Sequence, residues 1–448
     1  MDQVSTDQPA RRERHPVGLA VLAGTELAER FSYYGMTALL ALYMTKQLLL
    51  PGHAEHVLGL AALRNLFEFR GPMSDQAFAS LIYGWYGGLV YFTPIVGGWL
   101  ADRKLGKKLA VTIGALLMAG GHLCMSFDAT FLIALLLLIL GSGLLKGNIS
   151  AQVGTLYPPN AESMRERGFT IFSTGINIGA VAGPLATGAA SAAYGWHAGF
   201  AIAAGLMLVA LAIYLIGQRH LPDQMPQHRE DAKLPPMTAE ERRRTWALIA
   251  LIALVVPNAI AYPMIWNVGI IWIDERVALG PVPASWFNSV DAFASIVAAP
   301  ILVALWAWQS RRGAEPGSLT KITIGFAMTG ASALLLAAGA ALPNADGKVS
   351  VWWALAGYFG MGFAFMWYWP VLLSVVSKAA PPRVNSTMVG GAFLSLFVGV
   401  TLMGWVGSFY EEMPHTAFWV LDAAIGFAGA FMTLLVRKPL ARTIGVDA

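Results

Sequence analysis

Three charged residues stand close together in a stretch that is otherwise apolar. Glu26, Glu29 and Arg30 lie in the run Gly24–Met44, part of a segment long enough to cross a bilayer. On a helix their spacings of three and four residues place them on one face, where opposite charges partly neutralise one another. A charge at the bilayer centre costs about 2.5–3.5 kcal/mol on insertion scales, so this face must contact protein or water. Such a polar stripe indicates a path for a substrate or for protons.

The composition places these charges in a membrane protein. Hydrophobic residues make up 56% of the 448 residues and charged residues only 12%, about half the charge usual in soluble proteins. The basic balance comes from Lys and Arg in loops, and no nucleic acid partner is expected. The single cysteine, Cys124, excludes an internal disulfide. The histidines lack metal-ligand spacing, so we expect no metal site and no cofactor.

Repeated apolar runs predict an all-α membrane protein with twelve transmembrane helices in two six-helix bundles. A polar linker, 218–245, separates the bundle 18–217 from the bundle 246–437, with tails at 1–17 and 438–448. The spans are expected at 18–47, 76–101, 109–127, 130–151, 167–191, 196–217, 246–273, 284–309, 319–341, 350–377, 386–407 and 415–436.

The basic residues favour one orientation in the membrane. Most of the 30 Lys and Arg fall in the tails and in the even-numbered loops. By the positive-inside rule, both termini and the linker are cytoplasmic in a plasma (inner) membrane. Only Arg30 and Lys146 are predicted to lie inside the membrane among the basic residues. Among the acids, Asp291 either lines a cavity or bonds to a neighbouring helix, and Asp422 is either interfacial or functional.

The end of the second span resembles a loop motif of the major facilitator superfamily. It reads Gly97-Gly98-Trp-Leu-Ala-Asp102-Arg103-Lys-Leu-Gly. In that superfamily the Asp and the basic residues help to latch the two halves on the cytoplasmic side. The resemblance therefore implies a major facilitator fold with Gly98, Asp102 and Arg103 in a gating loop. Glycines there permit close approach of helices.

The opening stretch resembles the Glu-x-x-Glu-Arg-Phe-x-Tyr-Tyr-Gly motif of the proton-dependent oligopeptide transporters, matched in full from Glu26 to Gly35. The segments around Tyr91, Lys146 and Asn177 are similar to further motifs of that family, although Gly147 stands where a proline is usual. The resemblance implies proton-coupled uptake of di- and tripeptides by alternating access, through a protein functional as a monomer. Proton coupling is expected at Glu26, Glu29 and Asp291. Substrate binding is expected at Arg30, Tyr33, Tyr34, Tyr91, Lys146, Asn177, Asp291, Trp266, Phe365 and Trp367.

The charges suggest how protons and substrate are coupled. Glu26, Glu29, Arg30 and Lys146 sum to zero when all are ionised. Protonating one glutamate would free a cation to bind a substrate carboxylate. The alternative is a fixed ion-pair network that only holds helices together.

The second half departs from the family pattern. Pro263 and Phe365 stand where the family commonly has glutamates, Val400 replaces a common asparagine, and Thr37 replaces a usual arginine. Asp291, at a position that is usually asparagine, could take over the ammonium end of a peptide. An aromatic second half also leaves open an acidic or aromatic metabolite, or a modified peptide, as cargo. An enzyme is disfavoured because no nucleophile or metal stands at workable spacing from a base. A non-transporting receptor is disfavoured because the tails are too short for a soluble output domain.

Overall fold

The structure is a computed structural model that describes residues 15–158, 160–223 and 236–447. Most of the predicted N-terminal tail, residues 224–235 of the predicted linker, and residue 448 lie outside the described residues. The described chain is helical, with one isolated parallel bridge between Val277 and Val349. Its α-helices are α1 Val17–Tyr43, α2 Leu60–Phe67, α3 Asp75–Leu100, α4 Lys107–Cys124, α5 Phe131–Thr155, α6 Glu162–Tyr194, α7 Trp196–Gly217, α8 Ala239–Ala253, α9 Val256–Ala261, α10 Val268–Arg276, α11 Phe287–Ser310, α12 Ser318–Ala341, α13 Val351–Ala379, α14 Asn385–Gly407 and α15 His415–Ile444.

Nine helical stretches within the described ranges are long and apolar enough to cross a membrane, by length and composition. They run from Asp128–Thr155 through His415–Ile444. Helices α1, α3 and α4 have 27, 26 and 18 residues but are more polar, and α1 carries Glu26, Glu29 and Arg30. The structure is thus that of a multi-span helical protein, and the count of twelve spans stays a prediction.

The predicted seventh span is broken. Instead of one helix over 246–273, the chain forms α8, α9, a 3₁₀ segment Tyr262–Trp266 and then α10. Pro257 and Pro263 are the second residues of α9 and of the 3₁₀ segment. A proline inside a longer helix would remove a backbone donor and clash with the preceding turn. Asn267, with φ −101° and ψ −91°, links the 3₁₀ segment to α10. The break changes the direction of the chain beside Tyr262 and Trp266.

Helices α3 and α14 pack together across the boundary between the two halves. A Cβ added at Gly84 would lie 2.6 Å from the Cα of Gly404, so the two backbones are in direct contact. Ser80 Oγ donates to the carbonyl of Gly404 over 3.0 Å and accepts from Asn267 Nδ2 over 2.7 Å. Gln76 Nε2 donates to the carbonyl of Gly407 over 3.2 Å. We call this contact the α3–α14 seam; it lies at the end of the molecule where α3 begins and α14 ends.

Two further contacts join the halves at the same end. Ser289 Oγ, near the start of α11, donates to the carbonyl of Val181 in α6 over 2.7 Å. Lys46 follows the end of α1 and pairs with Glu275 of α10 over 3.2 Å. Because α1, α10 and α14 end here while α3 and α11 begin here, these contacts close one end of the boundary between the halves.

Asp128 connects three elements of the first half. Its Oδ1 accepts from the hydroxyl of Tyr43 over 2.6 Å and lies 2.8 Å from His197 Nε2. Its Oδ2 lies 2.7 Å from His53 Nδ1. One carboxylate thus ties the end of α1 and the loop after it to the starts of α5 and α7.

Replacing this carboxylate is expected to destabilise the first half. Asp128→Asn removes the charge and one of the two acceptor oxygens. Since hydrogen bonds to charged groups contribute about 1.5–3 kcal/mol and the site is partly solvated, we expect a loss of about 1–2 kcal/mol, measured as a lower unfolding temperature in detergent. Asp223→Asn is the matched control: Asp223 pairs with Lys108 over 2.6 Å but is 85% exposed, so it should change little. Equal unfolding temperatures for the two variants would contradict this role of Asp128.

Candidate functional site

The charged face of α1 lies inside the protein. The side chains of Glu26 and Glu29 are 0% exposed, and that of Arg30 is 13% exposed. Arg30 Nε donates to Glu26 Oε1 over 2.7 Å and lies 3.1 Å from Glu29 Oε2. The close packing of α6 on α1 helps to bury this face, since a Cβ added at Gly179 would lie 2.8 Å from the Cβ of Arg30.

The two glutamates have more acceptor capacity than the site satisfies. Among the residues that the structure describes, Glu26 Oε2 and both oxygens of Glu29 find no hydrogen-bond partner. A buried carboxylate without enough donors is costly. The arrangement therefore suits uptake of a proton or approach of another cation.

Lys146 of α5 provides the second cation. Its Nζ lies 3.9 Å from the ring centroid of Tyr33, which is a cation–π contact. Lys146 also interacts electrostatically with Arg30, Glu29 and Glu26. Within the part of the chain that the structure describes, however, its ammonium forms no ion pair with a carboxylate. Lys146 is therefore less engaged by protein acids than Arg30 is.

A small cavity adjoins these charges, and both halves of the chain line it. Its volume of about 30 Å³ has room for at least one water molecule. The residues that line it are Tyr33, Thr37, Tyr83, Tyr86, Gly87, Tyr91, Trp266 and Val400. Four tyrosine side chains therefore offer ring faces and hydroxyl groups to whatever occupies an enlarged form of this cavity.

Asp291 of α11 organises the facing half. Its Oδ2 accepts from the hydroxyl of Tyr262 over 2.8 Å and from Trp266 Nε1 over 3.2 Å. Asp291 is 4% exposed. Tyr34 interacts electrostatically with both Asp291 and Arg30. Asp291 thus both bonds to a neighbouring element and lies near the cavity.

Phe365 of α13 belongs to the same aromatic group. It stacks on Tyr262, with ring centroids 5.3 Å apart and an interplanar angle of 23°. It also stacks on Trp369, at 6.4 Å and 24°. Tyr262 meets Trp266 edge to face at 5.0 Å. We call Tyr262, Trp266, Phe365 and Trp369 the aromatic wall.

The remaining candidate residues are not among those that line this cavity or form the aromatic wall. Trp367 is 8% exposed and packs on Trp306 of α11 at 5.5 Å. Asn177 is exposed on α6. Asp102 and Arg103 are exposed on the π-helical turn Ala101–Leu105.

At the glycine pair of the gating motif, Gly97 makes the helix contact. A Cβ at Gly98 would meet open space, whereas one at Gly97 would overlap Gly143 of α5. Arg103 lies over the ring of Trp99 at 5.4 Å. These residues were predicted to latch the two halves, and that prediction stays untested.

Sequence reasoning missed several residues. Tyr83 and Tyr86 line the cavity on the same face of α3 as Tyr91. Tyr86 follows Tyr83 by three residues and Tyr91 follows it by eight, a spacing that could have indicated a shared helix face. Asp422 was considered as either interfacial or functional, and it is fully buried in α15, where neither carboxylate oxygen has a hydrogen-bond partner among the described residues. Lys321 lies in the first turn of α12 at 9% exposure and bonds to Glu315 over 2.5 Å.

Comparison with known proteins identifies similar chains. A family model described as the POT family matches residues 108–234 and 236–421. A di-/tripeptide transporter of Lactococcus lactis subsp. cremoris is 27% identical, over 96% of this chain and 97% of the relative. The peptide transporter YePEPT of Yersinia enterocolitica is 26% identical, over 97% of both chains. A crystal structure of a peptide transporter POT in complex with alafosfalin superposes with a TM-score of 0.84 at 26% identity, over 96% of both chains.

Proposed function

We propose, because this chain belongs to the POT family, that it carries di- and tripeptides across a membrane together with protons. The observation that carries the proposal is the buried group Glu26, Glu29, Arg30 and Lys146 beside a cavity lined by both halves. Relatives named as di-/tripeptide transporters are similar over nearly the whole chain. The assignment is to a transporter rather than to an enzyme.

We further propose twelve spans in two bundles, 18–217 and 246–437, joined by a cytoplasmic linker at 218–245. Each bundle would take six spans, with α8, α9 and α10 together forming the seventh. The packing of α3 on α14 and of α6 on α11 supports two halves that meet along paired helices. Rocking of these halves around a central site would expose the cavity to each side in turn.

The orientation follows from the basic loops. With both termini on the cytoplasmic side of the plasma membrane, the end of the molecule where α1 ends and α3 begins faces the outside of the cell. The α3–α14 seam and the Lys46–Glu275 pair then form the outer gate, which is closed in this conformation.

The coupling that we propose is electrostatic. The four charged groups around Arg30 are neutral in sum when all are ionised, so the empty site carries no net charge. A proton on Glu26 or Glu29 leaves one cation in excess, and a substrate carboxylate restores neutrality. Of the two cations, Lys146 needs to give up only its contact with the Tyr33 ring to meet a carboxylate. Asp291 stays a predicted proton site of the second half.

Uptake by the purified chain tests this proposal. In liposomes with an acidic outside, labelled dialanine is expected to accumulate, and a protonophore should abolish the accumulation. Glu29→Gln fixes one glutamate in its neutral shape, so its uptake should lose most of its dependence on the gradient. Uptake at the same rate with and without the proton gradient would contradict proton coupling. Absence of dipeptide and tripeptide uptake would contradict peptide transport itself.

The outer gate gives a separate prediction. A Cβ at Gly404 would lie 2.7 Å from the carbonyl oxygen of Ser80, so Gly404→Leu should hold the α3–α14 seam apart. We expect uptake to fall at least tenfold, while a cysteine placed at the buried Gln76 on a Cys124→Ser background becomes reactive to an impermeant maleimide. Gly390→Leu is the control on the same helix, because a Cβ there meets nothing within 4 Å. Equal uptake in the two leucine variants would show that the seam does not need to close.

A further inference from the structure

The part of the cavity region contributed by the second half is aromatic rather than charged. Trp266 lines the cavity directly, together with Val400. Behind Trp266 lie Tyr262, Phe365 and Trp369, joined through ring contacts. Trp266, Phe365 and Trp369 are partly exposed, whereas Tyr262 is buried. A ligand whose carboxylate lies at Lys146 would therefore extend its other end towards ring carbons.

The carboxylate nearest to this wall is already engaged. Oδ2 of Asp291 accepts two hydrogen bonds, from Tyr262 and from Trp266, and the residue is 4% exposed. These bonds hold two rings of the aromatic wall in place. An ammonium group seeking this oxygen would have to compete with both donors. Asp422, the other deeply buried acid of this half, belongs to α15, which packs against α12 and α9.

The rings themselves offer little to a cation. A cation–π contact needs the face of a ring, where the quadrupole is negative. Phe365 is stacked on both Tyr262 and Trp369, so its faces are turned towards other rings. A primary ammonium placed against the stacked rings would lose part of its hydration and gain no acceptor from them. An acyl group carries no charge whose hydration would be lost, and it would bury apolar area against the wall.

We propose that the aromatic wall binds the uncharged end of peptides whose amino group is blocked by an acyl group, above all an aromatic acyl group. The proposal rests on the proposed function and names its substrate class: N-acylated di- and tripeptides with a free carboxylate. Arg30 and Lys146 bind the carboxylate, and the acyl group contacts Trp266 and the exposed edge of the Phe365 ring. Asp291 is then a positioning residue for Tyr262 and Trp266 rather than the partner of an ammonium.

A matched pair of ligands tests the proposal on the full chain. Binding of dialanine and of N-benzoyl-dialanine to the purified protein is measured by titration calorimetry, and uptake of both is measured in liposomes. We expect the blocked peptide to bind at least tenfold more tightly. Tighter binding and transport of dialanine would overturn the inference and leave the proposed function standing. If neither peptide binds or moves, both the proposed function and the inference are wrong.

Two variants test whether the preference for N-acylated peptides comes from the aromatic wall. Phe365→Leu keeps an apolar side chain, so the variant should fold, keep its affinity for N-acetyl-dialanine and lose several-fold affinity for N-benzoyl-dialanine. Asp291→Asn keeps an acceptor for Tyr262 or Trp266 and should leave the preference for blocked peptides in place. An unchanged benzoyl affinity in Phe365→Leu, or a loss confined to dialanine in Asp291→Asn, would overturn the assignment.

Discussion

Replacing Arg30 by alanine is expected to abolish transport and to destabilise the protein. Arg30 Nε is the group that contacts both Glu26 and Glu29, at 2.7 and 3.1 Å. Removing it leaves two buried carboxylates without their compensating charge. Breaking a buried pair in this way costs about 3–5 kcal/mol unless the remaining group is neutralised. Uptake of labelled peptide and the unfolding temperature in detergent should therefore fall together.

Two further variants separate the charge of Arg30 from its shape. Arg30→Lys keeps the charge but offers a single ammonium instead of a planar fork, so part of the stability should return while uptake stays low. Adding Glu26→Gln to Arg30→Ala removes one of the stranded carboxylates and should recover stability without recovering transport. Full uptake by Arg30→Ala would show that the group is only a structural ion-pair network.

Replacing Lys146 by methionine should give a different result, namely loss of transport with little loss of stability. The ammonium of Lys146 contacts the ring of Tyr33 at 3.9 Å rather than a carboxylate, and such a contact contributes about 0.5–2 kcal/mol. Methionine keeps an unbranched apolar stem in the same place. If Lys146 meets the substrate carboxylate, losing a buried charged partner costs about 2–5 kcal/mol of binding, or about thirtyfold to a few thousandfold in affinity.

The measurement compares peptide affinity and unfolding temperature in the same preparation. Tyr33→Phe is the matched control, because it keeps the ring under Lys146 and removes only the hydroxyl. It should retain most of the affinity. An unfolding temperature that falls as far in Lys146→Met as in Arg30→Ala, with unchanged affinity, would make Lys146 a structural residue.

The charged face of α1 could be predicted from the sequence because the physical constraint is strong. Few arrangements allow two acids and a base in an apolar run, and the spacing of Glu26, Glu29 and Arg30 fixes their shared face. The family was recognised from the same stretch, and the recognition is confirmed by a match that covers other residues, 108–234 and 236–421.

The second half was harder to predict because its contacts are long-range. Pro257 and Pro263 gave a local signal for a broken helix, but the sequence could not show that Tyr262 and Trp266 would share one oxygen of Asp291. The sequence also could not show that Phe365 and Trp367, two residues apart on α13, have different surroundings. Phe365 joins the aromatic wall, whereas Trp367 packs on Trp306 of α11. Such choices depend on helix rotation, and the mostly apolar α13 has no polar face to indicate it.

The closed α3–α14 seam bears on what the empty protein lets through. The backbones of Gly84 and Gly404 are in direct contact there, and Ser80 bonds to the carbonyl of Gly404. Protons hop along files of hydrogen-bonded waters, and backbone contact of this kind leaves no room for such a file between the two helices. The resting carrier should therefore leak little current along the seam, so that the membrane potential is not dissipated through molecules that hold no cargo.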